Sequence, residues 1–285
     1  SWALASAILI NKNPAEGPIR FIFQPAEEIA KGALKIIEES GLKNAKAIIG
    51  AHVDRNYPTP TIIAHPGAIA SNSDTFTYTI IGKSCHGARP QEGNDPFIGA
   101  ATIILGIQTI ISRQIAPQTK AVISIGKVDG GHSHNIIPEK ATITGTIRSF
   151  SEETRQLLHT KLNQLCLMGE SFDLKISCTI KTGAPSIINN ERILNLATIE
   201  GNKLVDEFCQ PLNTPNFGAE DFGYYLKKIP GCFLRIGCRA ENEKIIPAHN
   251  NQFFANHESI FVGGAILSNL AAQLSKEIVV PNSPF

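Results

Sequence analysis

Apolar and polar positions in the first 70 residues follow a helical period in some stretches and form short continuous apolar runs in others. The apolar runs at 18–23 and 45–53 are typical of buried strands. Helical spacing at 1–11 and 32–40 predicts a helix before each strand. Because strands and helices alternate, this part of the chain indicates an α/β layer with parallel strands.

A different pattern runs from residue 75 to residue 181. Asn94-Asp95-Pro96 supplies an N-cap and a first-turn proline for one of its helices. The predicted elements are, in order, strand 75–82, helix 96–113, strands 121–128 and 140–150, helix 152–169 and strand 173–181. This βαββαβ order is that of a ferredoxin-like domain.

The α/β pattern returns after this insertion, with a helix predicted at 189–208, a strand at 231–237 and a closing helix at 258–278. The sequence therefore predicts an α/β fold in which one domain interrupts another. We expect one domain formed by 1–70 and 184–285, and a second, inserted domain at 71–183.

Composition narrows the possible functions. The 285 residues are 42% hydrophobic and 18% charged, which is a globular composition. A net charge of +1 without basic or acidic blocks favours neither nucleic acid nor an anionic membrane as a partner. Six cysteines without a CxxC pair favour a reducing compartment, so a cytoplasmic location is expected. The apolar run 96–112 is shorter than a membrane span and is interpreted as a buried helix.

Polar residues that could carry chemistry follow apolar runs. Glu27 and Glu28 follow the strand predicted at 18–23 after the three residues Gln24-Pro25-Ala26, and His52 lies near the end of the next apolar run. His249 lies in a proline-flanked loop before the last helix. Carboxylate and imidazole together suit a divalent cation such as zinc. Residue types alone leave two blander interpretations open, which are solvated glutamates at a helix start and a buried core histidine.

Six stretches, in the same order, resemble those of a known family: QPAEE, AHV, GKSCHGARP, GGHSHNIIPEKATITGTIRSF, GAEDFGYYLKKIPG and PAHNNQF. They are similar to the aminoacylase and carboxypeptidase group of dinuclear metallo-amidohydrolases, and in particular to its hippurate hydrolase and indole-acetyl-amino-acid hydrolase subfamily. The resemblance covers nearly the whole chain. It implies metal-dependent hydrolysis of the amide bond of N-acyl amino acids or short peptide-like conjugates.

The resemblance also implies a role for each matching residue in the catalytic domain. Glu27 matches the general base. Glu28 and His249 match ligands of one metal, and His52 matches a ligand of the other. The ions expected are zinc, manganese or cobalt. Glu220 and Asp221 fall in a family motif and are expected to have a structural or supporting role.

The inserted domain matches the family's lid, through which homodimers form. His86 matches a histidine that reaches the partner subunit's site and polarises the scissile carbonyl. Asn135 and Arg148 match groups that hold the substrate carboxylate, a task suited to the fixed fork of donors on arginine. The neighbouring His132 and His134 match no ligands in the family and are interpreted as loop residues.

One family motif is absent from the sequence. A Cys-Gly-His-Asp-x-His stretch, which would supply a bridging ligand and a terminal histidine, should precede SWALAS. Two hypotheses follow: the chain is a fragment of a longer enzyme, or it is a shortened non-catalytic relative that serves as a dimerisation or binding module. The intact QPAEE pair, His86, Asn135 and Arg148 favour the first. On either hypothesis, residues 1–285 by themselves are expected to be inactive.

Overall fold

The computed structural model describes residues 2–205, 212, 217–247 and 250–279. Its helices are α1 (Trp2–Lys12), α2 (Gly32–Glu38), α3 (Pro96–Thr109), α4 (Glu152–Gln164), α5 (Glu191–Asn202), α6 (Gly223–Leu226) and α7 (Glu258–Val279). Its strands are β1 (Ile48–Pro58), β2 (Ile62–Ile63), β3 (Ala68–Ala70), β4 (Asp74–Ile81), β5 (Cys85–His86), β6 (Ala121–Gly130), β7 (Ile136–Ile137), β8 (Lys140–Ser149), β9 (Lys175–Thr182), β10 (Ile187–Ile188) and β11 (Gly231–Arg239).

The chain forms two compact units. Unit 1 contains Ser1–Ala70, Ile187–Asn216 and Glu220–Phe285, and unit 2 contains Ser71–Ser186 and Phe217–Ala219.

Unit 1 is built on a sheet in the order β1-β11-β2. β1 and β11 are parallel, and β2 pairs antiparallel with β11. β11 is buried along nearly its whole length, as expected of a central parallel strand. Its apolar residues share a core with buried residues of α5 and α7. The α/β class predicted from the sequence is confirmed.

The predicted strand at 18–23 is wrong for this structure, because within the described residues it joins no ladder and has no regular secondary structure. The segment 18–22 and the start of β1 line the same cavity of about 790 Å³. A strand forms only where a neighbouring backbone completes its hydrogen bonds. An apolar run can indicate a strand, but it does not show which backbone will pair with it.

Helices α1 and α7 pack closely enough to need glycine. A β-carbon on Gly263 would lie 2.6 Å from the indole nitrogen of Trp2. The Trp2 indole donates to the carbonyl of Ser259 at 2.8 Å, and the Ser6 hydroxyl donates to the carbonyl of Gly264 at 3.0 Å. These contacts fix α1 against the helix that covers the sheet.

Unit 2 has the βαββαβ order predicted from the sequence. Its sheet runs β6-β8-β4-β9, and every neighbouring pair is antiparallel. The caps are those expected from the sequence: Asp95 accepts from the Phe97 amide at 2.8 Å, and Ser151 accepts from the Thr154 amide at 3.1 Å. The side chains of α3 and α4 pack on the sheet around Phe76 and Tyr78.

The stretch Pro96–Gln114 is long and apolar enough, by length and composition alone, to cross a membrane. In unit 2 its residues Ile103, Ile107 and Ile110 are fully or almost fully buried in the core, while Leu105 on another face is 70% exposed. This one-sided burial is what a core helix shows.

A buried ionic network ties the start of β4 to α4 and to the end of β9. Asp74, which is 0% exposed at its side chain, accepts from Nε and Nη2 of Arg155 and from the Gly183 amide. His159 Nε2 also contacts its carboxylate. Burial favours a higher pKa for Asp74, but these hydrogen bonds outweigh burial and hold the pKa below its usual value of 3.8.

Replacing Asp74 should therefore destabilise unit 2 and change its acid sensitivity. Because the folded-state pKa is lowered, the carboxylate stabilises the fold above its unfolded pKa, and this contribution is lost as pH falls below about 4. Asp74→Asn should lower the free energy of unfolding at pH 7 by about 3–5 kcal/mol and flatten its acid dependence. Denaturant unfolding at pH 7 and pH 3 measures the free energy of unfolding and its acid dependence. The control Asp129→Asn removes an exposed pair with Lys127 and should change neither of these quantities.

Candidate active site

The paired glutamates lie in a tight turn that follows the extended segment. Glu27–Ile29 forms a single turn of 3-10 helix, with Ala26 before it and Ala30 after it, both in the left-handed region at φ 58° and 51°. Glu27 is half-buried and Glu28 is exposed. Neighbouring residues of one turn project in different directions, so the two carboxylates are presented separately, as their different predicted roles require.

Glu27 lies beside a third carboxylate, that of Glu220. Burial raises the pKa of Glu27 to about 7, and the charge of Glu220 and a hydrogen bond to it add to the effect, as do the charges of Asp221 and Glu28. Burial also raises the pKa of Glu220, although attraction to Arg235 opposes this. A carboxylate that binds a proton near neutral pH can take a proton and give it back within one reaction cycle.

His52, in β1, is the next residue of this site. Its Nδ1 lies 2.7 Å from the carbonyl of Val53 and must donate to it, which leaves Nε2 as the lone-pair nitrogen in the neutral ring. Nε2 lies 4.0 Å from Oε1 of Glu220. His52 does not end its strand as predicted, because β1 continues to Pro58 through pairing with β11.

A buried cation lies on the same part of the sheet. Arg235 of β11 is the register partner of His52, and its Nη1 lies 3.7 Å from Oδ2 of Asp54. Both side chains of this pair are at most 4% exposed. Together with Glu27, Glu28 and Glu220, the pair makes this region of unit 1 dense in charge.

The remaining predicted residues in the described part of the chain lie in unit 2. His86 in β5 pairs with Ile136 in β7, and the Gly87 amide donates to the carbonyl of Asn135 at 2.8 Å. His86 and Asn135 are therefore close to each other, and both are exposed, at the short antiparallel pairing of β5 with β7. Arg148 is half-buried in β8, and burial lowers its pKa. His132 and His134 are exposed loop residues, as the sequence predicted.

The predicted ligand His249 lies outside the described residues. Within the described part of the chain, no three His, Cys, Asp or Glu side chains are grouped so that they could hold a metal ion. The structure places Glu220 beside both Glu27 and His52, but it describes no complete ligand set among these side chains and Glu28. The roles assigned to the site residues stay predictions.

Glu220, for which the resemblance predicts a structural or supporting role, neighbours both Glu27 and His52. The sequence analysis did not single out Arg235. Arg235 stands in the apolar strand GCFLRIG. A charged residue within a buried strand is itself a signal that a partner lies nearby, and it could have been noticed.

Carboxylates and a histidine lie together in an α/β unit, and the chain also carries a ferredoxin-like unit. These features are compatible with a metal-dependent hydrolase, and the comparison with known families decides the class. Residues 1–273 match the model of the peptidase family M20/M25/M40. The chain belongs to this family, so the family predicted from the motifs is confirmed.

Known proteins show the same likeness. The chain is 35% identical over 248 residues to an N-acetyl-L-cysteine deacetylase of Bacillus subtilis, covering 86% of this chain and 59% of that protein. It is 31% identical over 282 residues to a hippurate hydrolase of Campylobacter jejuni, covering 97% of this chain and 72% of that protein. A solved structure of the Bacillus subtilis YXEP protein, a dinuclear metal binding peptidase, matches with a TM-score of 0.82 and 30% identity, covering 96% of this chain and 70% of that one.

Proposed function

We propose that the protein hydrolyses the amide bond of N-acyl amino acids or short peptide-like conjugates with the help of divalent metal ions. The observation that carries this proposal is the Glu27–Glu28 turn beside His52 and Glu220 in a chain of family M20/M25/M40. The chain spans 59% of the length of the deacetylase, so the proposal concerns the whole protein.

The donor set fits the proposed metals in its chemistry. Glu28 and His249 would hold one ion and His52 the other, and carboxylate with imidazole suits zinc, manganese or cobalt. When bound, such ions polarise the substrate carbonyl and lower the pKa of water. A two-metal site needs further ligands, which the absent Cys-Gly-His-Asp-x-His stretch would supply in the family.

Glu27 is the group that moves the proton. In the proposed reaction its carboxylate takes a proton from the attacking water and then gives it to the nitrogen of the leaving amine. Its half-buried position beside Glu220, which raises its pKa, favours a group that both takes and gives up a proton.

His86 from a second copy of the chain would donate to the carbonyl oxygen as negative charge develops there. Its Nδ1 accepts from the Ala88 amide at 3.0 Å, so the proton of the neutral ring lies on Nε2. Nε2–H is therefore the donor that His86 presents outward. This assignment requires the homodimer that we propose for the lid, which light scattering of the purified protein measures.

Asn135 and Arg148 would bind the carboxylate of the substrate. The Asn135 side-chain oxygen already accepts from the Ser133 hydroxyl at 2.6 Å, so its N–H groups are the ones offered to a ligand. The Arg148 guanidinium can bind both oxygens of a carboxylate at once. A carboxylate at one end of the substrate is thus part of the proposal.

Replacing Arg148 with Ala should mainly raise KM. A desolvated charge pair with the substrate carboxylate would make the loss about 2–5 kcal/mol in kcat/KM. Steady-state kinetics on an N-acyl amino acid and on its neutral C-terminal amide measure the effect, which should vanish for the amide. Arg113→Ala, an exposed change in the same unit, is the matched control. An unchanged KM for the acid would remove Arg148 from the site.

The proposal is tested most directly by an assay of the full-length protein. The protein is loaded in turn with zinc, manganese and cobalt and offered N-acetylcysteine, hippurate and other N-acyl amino acids. Release of the free amino acid supports the proposal, and no release with any ion contradicts it.

We further propose a cytoplasmic location, with neither nucleic acid nor membrane as a partner. The near-neutral charge and the scattered cysteines support this proposal.

A further inference from the structure

Asp221 makes several short contacts that the proposed reaction does not use. It is 2% exposed. Its Oδ1 and Oδ2 accept from Gln24 Nε2 at 2.9 and 2.8 Å, and Oδ2 also accepts from the Ala33 amide at 2.9 Å. A buried carboxylate with this many donors is held in one orientation.

Gln24 is itself fixed from its other end. The Tyr225 hydroxyl donates to Gln24 Oε1 at 2.6 Å, which assigns the two ends of the amide. Tyr225 is 2% exposed and belongs to α6, directly after Asp221 in the chain. One segment of unit 1, 221–225, therefore forms hydrogen bonds with both the side-chain oxygen and the side-chain nitrogen of Gln24.

The two points bound by Asp221 lie on either side of the glutamate turn. Gln24 is the last residue before Pro25, and Ala33 lies in the first turn of α2. The chain between them carries Glu27 and Glu28. Asp221 therefore joins the entry and the exit of this turn with one carboxylate.

The turn needs such a clamp because its backbone is strained. Ala26 and Ala30 both have positive φ, a conformation that non-glycine residues rarely adopt because it is strained. The exit of the turn also approaches the entry closely, since a β-carbon on Gly32 would lie 1.9 Å from the carbonyl oxygen of Pro25. Strain of this kind persists only where surrounding contacts hold it.

We propose that Asp221 is a positioning residue that closes the strained turn and so fixes where Glu27 and Glu28 point. It acts through the turn, without touching substrate or metal. The inference rests on the proposed function for its catalytic consequence, while its structural part stands on the hydrogen bonds alone. It explains why the QPAEE and GAED motifs occur in one chain: the glutamine of the first is bound by the aspartate of the second.

The test uses the full-length protein with Asp221→Ala, Asp221→Asn and Asn189→Ala. Asn189 is a matched control, because it is also buried in unit 1 and also binds backbone groups, at His65 and Phe233, but it does not touch the turn. Asp221→Ala should lower kcat and manganese affinity on the order of 10–100-fold with little change in KM. In Asp221→Asn an oxygen at the Oδ2 position can still accept from Gln24 and from the Ala33 amide, but an NH2 replaces Oδ1 and faces Gln24 Nε2, so this variant should recover part of kcat.

Hydrogen exchange at the Ala33 amide gives a readout independent of activity. It should speed up by about tenfold in Asp221→Ala and stay unchanged in Asn189→Ala. If Asp221→Ala matches Asn189→Ala in kcat, metal affinity and exchange, the positioning role is overturned. If the unmodified protein neither binds metal nor hydrolyses any substrate, the proposed function fails, and the exchange data still decide whether Asp221 holds the turn.

Discussion

Glu27→Gln in the full-length protein is expected to keep its metal ions and lose activity on the order of 10²–10⁴-fold, the usual contribution of a positioned acid–base group. Glutamine keeps the size of the side chain and one acceptor oxygen but cannot take a proton from water. The loss should appear in kcat more than in KM, because substrate carboxylate binding is assigned to unit 2. Steady-state kinetics measures the loss of kcat, and metal analysis of the same preparation shows whether the metal ions are kept.

Glu28→Gln is the matched control, since it makes the same chemical change at the neighbouring residue. We expect it to weaken metal binding first, and added metal should restore part of its activity. Added metal should not rescue Glu27→Gln. Near-native turnover by Glu27→Gln would show that another group is the base, and Glu220 would be examined next, because it lies beside Glu27.

Residues 1–285 purified by themselves are expected to bind divalent metal weakly and to hydrolyse no N-acyl amino acid. Structural and catalytic zinc sites need about three or four protein ligands, and at most two of the predicted ligands here serve one metal. Calorimetry with zinc and manganese, with the N-acyl amino acid assay, measures this. A protein extended by in-frame upstream sequence that contains Cys-Gly-His-Asp-x-His should show both tight binding and turnover.

Reading the genomic sequence upstream of Ser1 decides which protein to make. If that stretch is encoded, the enzyme hypothesis gains its missing ligands. A start codon directly upstream would instead favour the dimerisation or binding module. Tight binding of two ions and turnover by residues 1–285 would contradict the expectation, and His132 and His134 would then be the first alternative ligands to replace.

The lid pattern could be read from the sequence because its information is local. Residues 75–181 carry period-2 strands, period-3.6 helices and side-chain caps such as Asp95 and Ser151, and each of these depends on residues close in the chain. The sequence predicts domain boundaries at 71 and 183, and the main segment of unit 2 in the structure is Ser71–Ser186. The motifs QPAEE, AHV and GAEDF identified the family for the same reason, since a motif is a run of neighbours.

The sequence by itself therefore determined the α/β class, the βαββαβ insertion and the family, and the resemblance predicted which glutamate is the base. Tertiary structure alone decided which backbones pair and which charges meet. Segment 18–23 is apolar enough for a strand but has no ladder partner among the described residues, and β1 runs past His52 because β11 pairs with it. The contacts of Glu27 with Glu220 and of Gln24 with Asp221 join residues nearly 200 positions apart. The local sequence pattern does not indicate which remote residues will be in contact, because these contacts form only when packed elements bring remote side chains together.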